Sequence, residues 1–259
     1  VGARRASYYG LEQARRFGQL LAQAGLIVVS GLARGIDSAA HRGALDVAGR
    51  TIAVLGNGLA EVYPPEHRPL ADQIAASGAL LSELPMRTAP DSANFPRRNR
   101  LIAGMGLGVL VVEAGKNSGA LITARLANDY NREVFAVPGR IDLPNSRGTN
   151  GLIRDGQAKL VIDLEDILDE LGPVGQSLLG KEVHDVTTLP SRPVPATLSS
   201  TEKQVLAVLS RHEAMPIESI CQLSGATPAQ AASALTMLQL KGAVRHLPGS
   251  LFISLVDQS

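Results

Sequence analysis

The densest chemistry in the 259-residue chain is the run FPRRNR at residues 95–100. It sets Arg97, Arg98, Asn99 and Arg100 in consecutive positions directly after Phe95 and Pro96. Arginine carries a planar fork that matches phosphate. An aromatic ring beside it offers a face on which a base can stack. On a helix Arg97 and Arg100 share a face, while Arg98 is turned about a third of a turn away, so the three do not all meet one ligand. A purely structural reading stands beside this one: an arginine folds back onto Glu113 or Asp91, and Phe95 is plain core.

Three other segments offer groups for an anion. VGARRAS opens the chain and places Gly2, Arg4 and Ser7 in a loop after a presumed strand end. SGLARGID joins an apolar run to a helix through Gly31, Arg34 and Gly35. EAGKNSGALIT sets Ser118 and Gly119 at a helix start and Thr123 one turn in. Small loop residues let backbone N–H groups approach a phosphate, and a helix N-terminus adds a positive dipole. Each device alone is weak, because glycine-rich turns between strand and helix also arise for steric reasons.

Other chemistries find no support. The loop after LIVVS reads GLARGID rather than GxGxxG, and neither GxxxxGK[ST] nor GxSxG occurs. Histidines 41, 67, 184, 212 and 246 show no metal-ligand spacing, so neither a metal nor a cofactor is expected. The single cysteine excludes a disulfide framework within the chain, and Cys221 reads as a packed core thiol.

The positioning elements follow from hydrophobic periodicity. Composition is 45% hydrophobic, which excludes a disordered chain, and the apolar runs are strand-sized, far short of a membrane span. LIVVSG (26–31), TIAVLG (51–56), ALLSEL (79–84), LGVLVVEA (107–114), EVFAVPG (133–139) and AKLVID (158–163) read as buried strands. Helical patterns at 11–25, 38–48, 66–77, 97–105, 119–131, 149–155 and 164–171 separate them, with Asp37 as a candidate cap for the second. Continuous apolar strands between helices predict a parallel sheet covered on both faces, an extended Rossmann-like α/β unit over residues 1–172. Such sheets bind ligands in loops beyond the strands' carboxyl ends, where this chain sets its glycines.

Residues 173–197 are proline-rich and aperiodic and read as a linker. Residues 198–259 read as three helices and a two-stranded hairpin, a winged-helix-like unit. Its first helix is expected to open at Ser200 with an imperfect capping box. Its third helix, 228–241, has one basic residue, Lys241, so weak or no duplex binding is expected.

Net charge is +1, but it is uneven. Residues 1–100 hold 12 Lys/Arg against 8 Asp/Glu, residues 101–172 hold 7 against 10, and the remainder is balanced, 6 against 6. An anion site should therefore draw on the first hundred residues. No basic-then-apolar leader opens the chain, so a cytoplasmic protein is expected, although the abrupt start leaves a lost leader open.

Several of these segments, together with LGNGLAEVYPPEH, VFAVPGRID and GTNGLIRDGQA, resemble the DprA (DNA-processing protein A, or Smf) family, in family order over residues 1–172. The family's GSR loop reads Gly2-Ala3-Arg4 here, with alanine for serine. The resemblance implies a non-enzymatic protein that binds single-stranded DNA, forms a homodimer, protects incoming DNA and loads the RecA recombinase during natural transformation. It also implies a pocket using Arg4, the loop 31–35 and the segment 95–100. The alternative is a nucleotide-binding enzyme of the phosphoribohydrolase-like Rossmann class. Those enzymes carry PGGxGT and then a glutamate, whereas this chain reads AGKNSGALIT with no acidic residue between Glu113 and Asp129.

Overall fold

The computed structural model describes residues 1–178, 197–210, 214–247 and 250–256. The chain divides into two compact units, Val1–Val186 and Thr187–Ser259.

Unit 1 alternates helices and strands: α1 (Tyr8–Gln23), β1 (Val28–Ser30), α2 (Ile36–Asp46), β2 (Thr51–Val54), α3 (Arg68–Ser77), β3 (Ala79–Leu81), α4 (Asn94–Met105), β4 (Gly108–Val111), α5 (Gly119–Asp129), β5 (Glu133–Ala136), α6 (Arg147–Arg154), β6 (Lys159–Leu160), α7 (Glu165–Glu170) and α8 (Gly172–Leu178). β1, β2 and β3 form one parallel sheet in that order, and β4, β5 and β6 form another. The first residues extend the second sheet. Gly2 bridges Glu113 in parallel, and the Ala3 amide donates to the Glu113 carbonyl at 2.7 Å. The expected α/β layering is therefore present, with every strand shorter than its apolar run.

The core explains the pattern. Phe17 and Leu20 of α1, Val112, Phe135 and Val137 from β4 and β5 and the segments after them, and Ile167 and Leu168 of α7 pack into one buried cluster. Burying a side chain of this size stabilises a fold by about 1.5–3 kcal/mol. α4 begins at Asn94, three residues earlier than periodicity indicates. Phe95 and Pro96 thus lie inside its first turn, where proline's missing N–H removes no helix bond.

Unit 2 contains α9 (Ser200–Val208), β7 (Met215–Pro216), α10 (Ile217–Ser224), α11 (Pro228–Leu240), β8 (Val244–Leu247) and β9 (Leu251–Ser254). Three helices enclose Val205, Ile220, Leu235 and Leu238, and the half-buried Cys221 packs against that core. The capping box differs by one residue from the expectation. Ser199, not Ser200, is the cap, and it pairs reciprocally with Glu202. Thr227 caps α11 with Gln230 in the same way. β7 was not legible, since a two-residue strand has no period; it pairs with β9, which pairs with β8. The expected turn residues Pro248 and Gly249 lie outside the described residues. So does most of the expected linker, whose first residues belong to α8. Among the described residues no helix is long and apolar enough to cross a membrane.

Candidate nucleic-acid interface

A cleft of about 790 Å3 opens among the loops that follow the strands of unit 1. Four segments distant in sequence converge on it: the loop Gly2–Arg5, the turn around Ala33, the first turns of α4, and the loop Gly115–Gly119 leading into α5.

Arg4 is exposed, and its guanidinium carbon stands 5.2 Å from the centre of the Phe95 ring. That is cation–π distance. Phe95 also stacks on Tyr63, with ring centres 5.7 Å apart and planes inclined by 30°. Arg5 lines the same cleft, and its carbonyl accepts from Asn145 Nδ2 at 2.8 Å. One end of the cleft therefore joins two exposed cations to a pair of aromatic rings.

The three arginines of α4 have three different fates. Arg98 is buried; its Nη1 donates to the Gly31 carbonyl at 2.8 Å and to the Val54 carbonyl. Those carbonyls sit just beyond β1 and at the end of β2, so Arg98 ties two strand ends together. Its Nε is buried and has no hydrogen-bond partner. Burial pulls the guanidinium pKa below its usual value, and the negative charge of Asp37 opposes that shift. Arg100 is exposed and pairs with Glu83, rather than with Glu113 or Asp91. Arg97 is exposed and does not line the cleft.

The loop 31–35 is built differently from a phosphate cradle. Asp37 lies inside the first turn of α2 and is no side-chain cap for it. Its Oδ2 instead accepts from the amides of Gly31 at 3.1 Å and Ala33 at 3.3 Å, so those donors are already engaged. Gly31 needs its missing side chain, because a Cβ there would meet the Arg98 guanidinium. Gly35 has φ +78°, the left-handed region that favours glycine, and a Cβ would meet the Ala3 carbonyl. The adjoining Ile36 amide donates to that carbonyl at 3.2 Å, fixing the Gly2–Arg4 loop. Arg34 does not line the cleft; it pairs with Glu66.

On the opposite wall, Ser118 caps α5, its hydroxyl accepting from the Ala120 amide at 3.3 Å. A Cβ on Gly119 would meet nothing within 4 Å, so the helix start is open. Asn99 Nδ2 donates to the Gly119 carbonyl at 3.3 Å and so joins α4 to α5. Thr123 is buried at the floor. Ser7 does not reach the cleft; it caps α1, and its amide donates to buried Glu113 at 2.8 Å.

Of the residues singled out from sequence, the fold thus gathers Gly2, Arg4, Phe95, Arg98, Asn99, Ser118, Gly119 and Thr123 around the cleft. It leaves Ser7, Gly31, Arg34, Gly35, Arg97 and Arg100 off its lining. Sequence reasoning missed Arg5, Tyr63, Asn117 and Asn145. Arg5 had a signal, since it adjoins Arg4. Tyr63 and Asn145 reach the cleft only through tertiary folding. No group of three or more acidic, histidine or cysteine residues could hold a metal ion among the described residues.

Fold and site together define a class: a Rossmann-like α/β unit with a basic, aromatic-edged cleft, followed by a winged-helix unit. The chain belongs to the DprA/Smf family. The family described as DNA recombination-mediator protein A matches residues 1–172, and the DprA winged helix domain matches residues 189–250. Protein Smf of Synechocystis is 38% identical over 96% of this chain and 68% of its own length. Protein Smf of Escherichia coli is 40% identical over 96% of this chain and 65% of its own. The chain thus spans about two thirds of these relatives. Among solved structures, DprA of Streptococcus pneumoniae shares 44% identity with a TM-score of 0.61, covering 66% of this chain and 59% of that one. DNA processing protein A of Helicobacter pylori, described for its single-stranded DNA binding mode, shares 32% identity with a TM-score of 0.61, covering 66% of this chain and 77% of that one.

Proposed function

We propose that the cleft of unit 1 binds single-stranded DNA and performs no covalent chemistry. The observation that carries this reading is the exposed Arg4 guanidinium set against the Phe95–Tyr63 ring pair, opposite the open start of α5. Cations placed beside aromatic faces serve a flexible, charged chain whose bases are unstacked. Arg4 and Arg5 hold phosphates. Asn117, Ser118 and Gly119 at the start of α5 face the other side of the strand. The binding mode described for the Helicobacter pylori relative supports the ligand class.

The enzyme alternative gains nothing from the site. Glycosidic cleavage needs a placed carboxylate. Asp37 is engaged by two loop amides, and Glu113 accepts from the Ser7 amide behind the cleft wall. Incubation with nucleoside monophosphates should release no base.

Family membership extends the proposal to a homodimer acting in the cytoplasm, which protects incoming DNA and hands it to RecA. Two clefts on one strand would raise avidity without new contacts. The test of the central claim is fluorescence anisotropy with labelled oligo-dT and a matched duplex across a salt series. Tight, steeply salt-dependent binding of the single strand with weak duplex binding is expected. Equal affinity for both, or no affinity for the single strand at low salt, would overturn it.

A further inference from the structure

We propose that Tyr63 is the platform on which a base stacks, and that Phe95 is its anchor rather than the stacking surface itself. This rests on the single-strand reading above. Phe95 is already committed on several sides. Its ring packs against Gly56, where a Cβ would sit 2.6 Å from Phe95 Cδ1. The Arg4 guanidinium stands over it at 5.2 Å, and Tyr63 stacks on it at 5.7 Å. What Phe95 leaves half-buried, Tyr63 offers outward: it is 37% exposed and lines the cleft. Beyond it, Arg34 is held by Glu66 and lies beside the Tyr63 hydroxyl. The row therefore runs Arg4, Phe95, Tyr63, with the Arg34–Glu66 ion pair beyond the outer ring and off the cleft lining. A base on the outer ring would keep its phosphate near the Arg4 guanidinium.

The ligand element recognised is a π-face, and every base has one, so Tyr63 would contribute affinity without sequence preference. A stacking residue and a phosphate contact differ in what they respond to. Tyr63→Ala should weaken oligo-dT binding about tenfold, within the range known for base stacking, and leave the salt slope unchanged. It should leave unchanged the binding of an oligonucleotide of abasic sites, which keeps the phosphates and lacks the faces. Tyr63→Phe should bind like the parent. The chain has no tryptophan, so Tyr63→Trp supplies a single reporter. Its emission should be quenched by oligo-dT and not by the abasic strand. Parental affinity in Tyr63→Ala, or an equal loss on both strands, would refute the assignment. A parent protein that binds neither strand would instead refute the single-strand reading on which it rests.

Discussion

The cleft of unit 1 and the outer face of α11 in unit 2 are both places where their folds commonly meet nucleic acid, and their chemistry is opposite. The cleft gathers Arg4 and Arg5 with aromatic rings and an open helix start. The outward residues of α11 include Ala229, Gln230, Ala232, Ser233, Thr236, Met237, Gln239 and Leu240, two of them amides and none of them charged. A helix that reads a duplex groove presents several basic or amide side chains to bases and phosphates. The one cation at its end, Lys241, is taken: its Nζ pairs with Glu202 at 2.7 Å and donates to the Thr197 carbonyl at 2.8 Å. The difference teaches that a winged-helix topology licenses no DNA contact by itself; the side chains on the helix decide.

The largest expected effect separates structure from binding within the cleft. Arg98→Met removes the donor shared by the Gly31 and Val54 carbonyls and leaves both without it. Urea unfolding of unit 1 should lose about 3 kcal/mol. An unchanged midpoint would return Arg98 to the group of phosphate contacts.

Acid should act next, and on unit 1. His41 is fully buried with Nδ1 2.7 Å from Thr51 Oγ1. The Thr51 hydroxyl already donates to the Val28 carbonyl, so His41 must donate from Nδ1, and Nε2 is left bare without a partner. Burial pulls its pKa from 6.5 down to about 4, chiefly by desolvation of the charged ring. A folded pKa below the unfolded one means the unfolded chain binds the proton first. Stability is full above pH 6.5 and is lost as pH falls toward 4. Urea titrations at pH 7 and pH 5 should differ by about 2 kcal/mol, and His41→Gln should flatten that dependence.

Arg4→Ala should cost about tenfold in single-strand affinity, near 1.4 kcal/mol, and reduce the salt slope by about one, with the urea midpoint unmoved. The smallest effect lies in unit 2. Deleting residues 198–259 should leave single-strand affinity within tenfold. A greater loss would give α11 or the wing a share in binding and erase the contrast drawn above.

Much of the architecture was legible because buried strands advertise themselves as apolar runs and helices by period. The segment 95–100 was legible as chemistry, but the fates of its arginines were not. Periodicity tells which residues share a face and says nothing of depth. Arg98 lies four residues before buried Ile102, on the same side of α4, and that was the available signal for burial. The Arg100 partner, Glu83, follows β3, and no local rule links the two positions. Asp37 was read as a cap from its place at a helix start. In the fold its carboxylate turns back to the loop before it, a choice settled by where the Gly31 and Ala33 amides point.

That turn of Asp37 also sets its carboxylate beside the buried Arg98 guanidinium, and both residues line the cleft. Opposite charges set together inside the wall offset one another, so the positive charge a phosphate meets comes chiefly from the exposed Arg4 and Arg5. The attraction of the cleft for a polyanion is therefore concentrated at one end, and a strand laid into it is anchored there before any base is read.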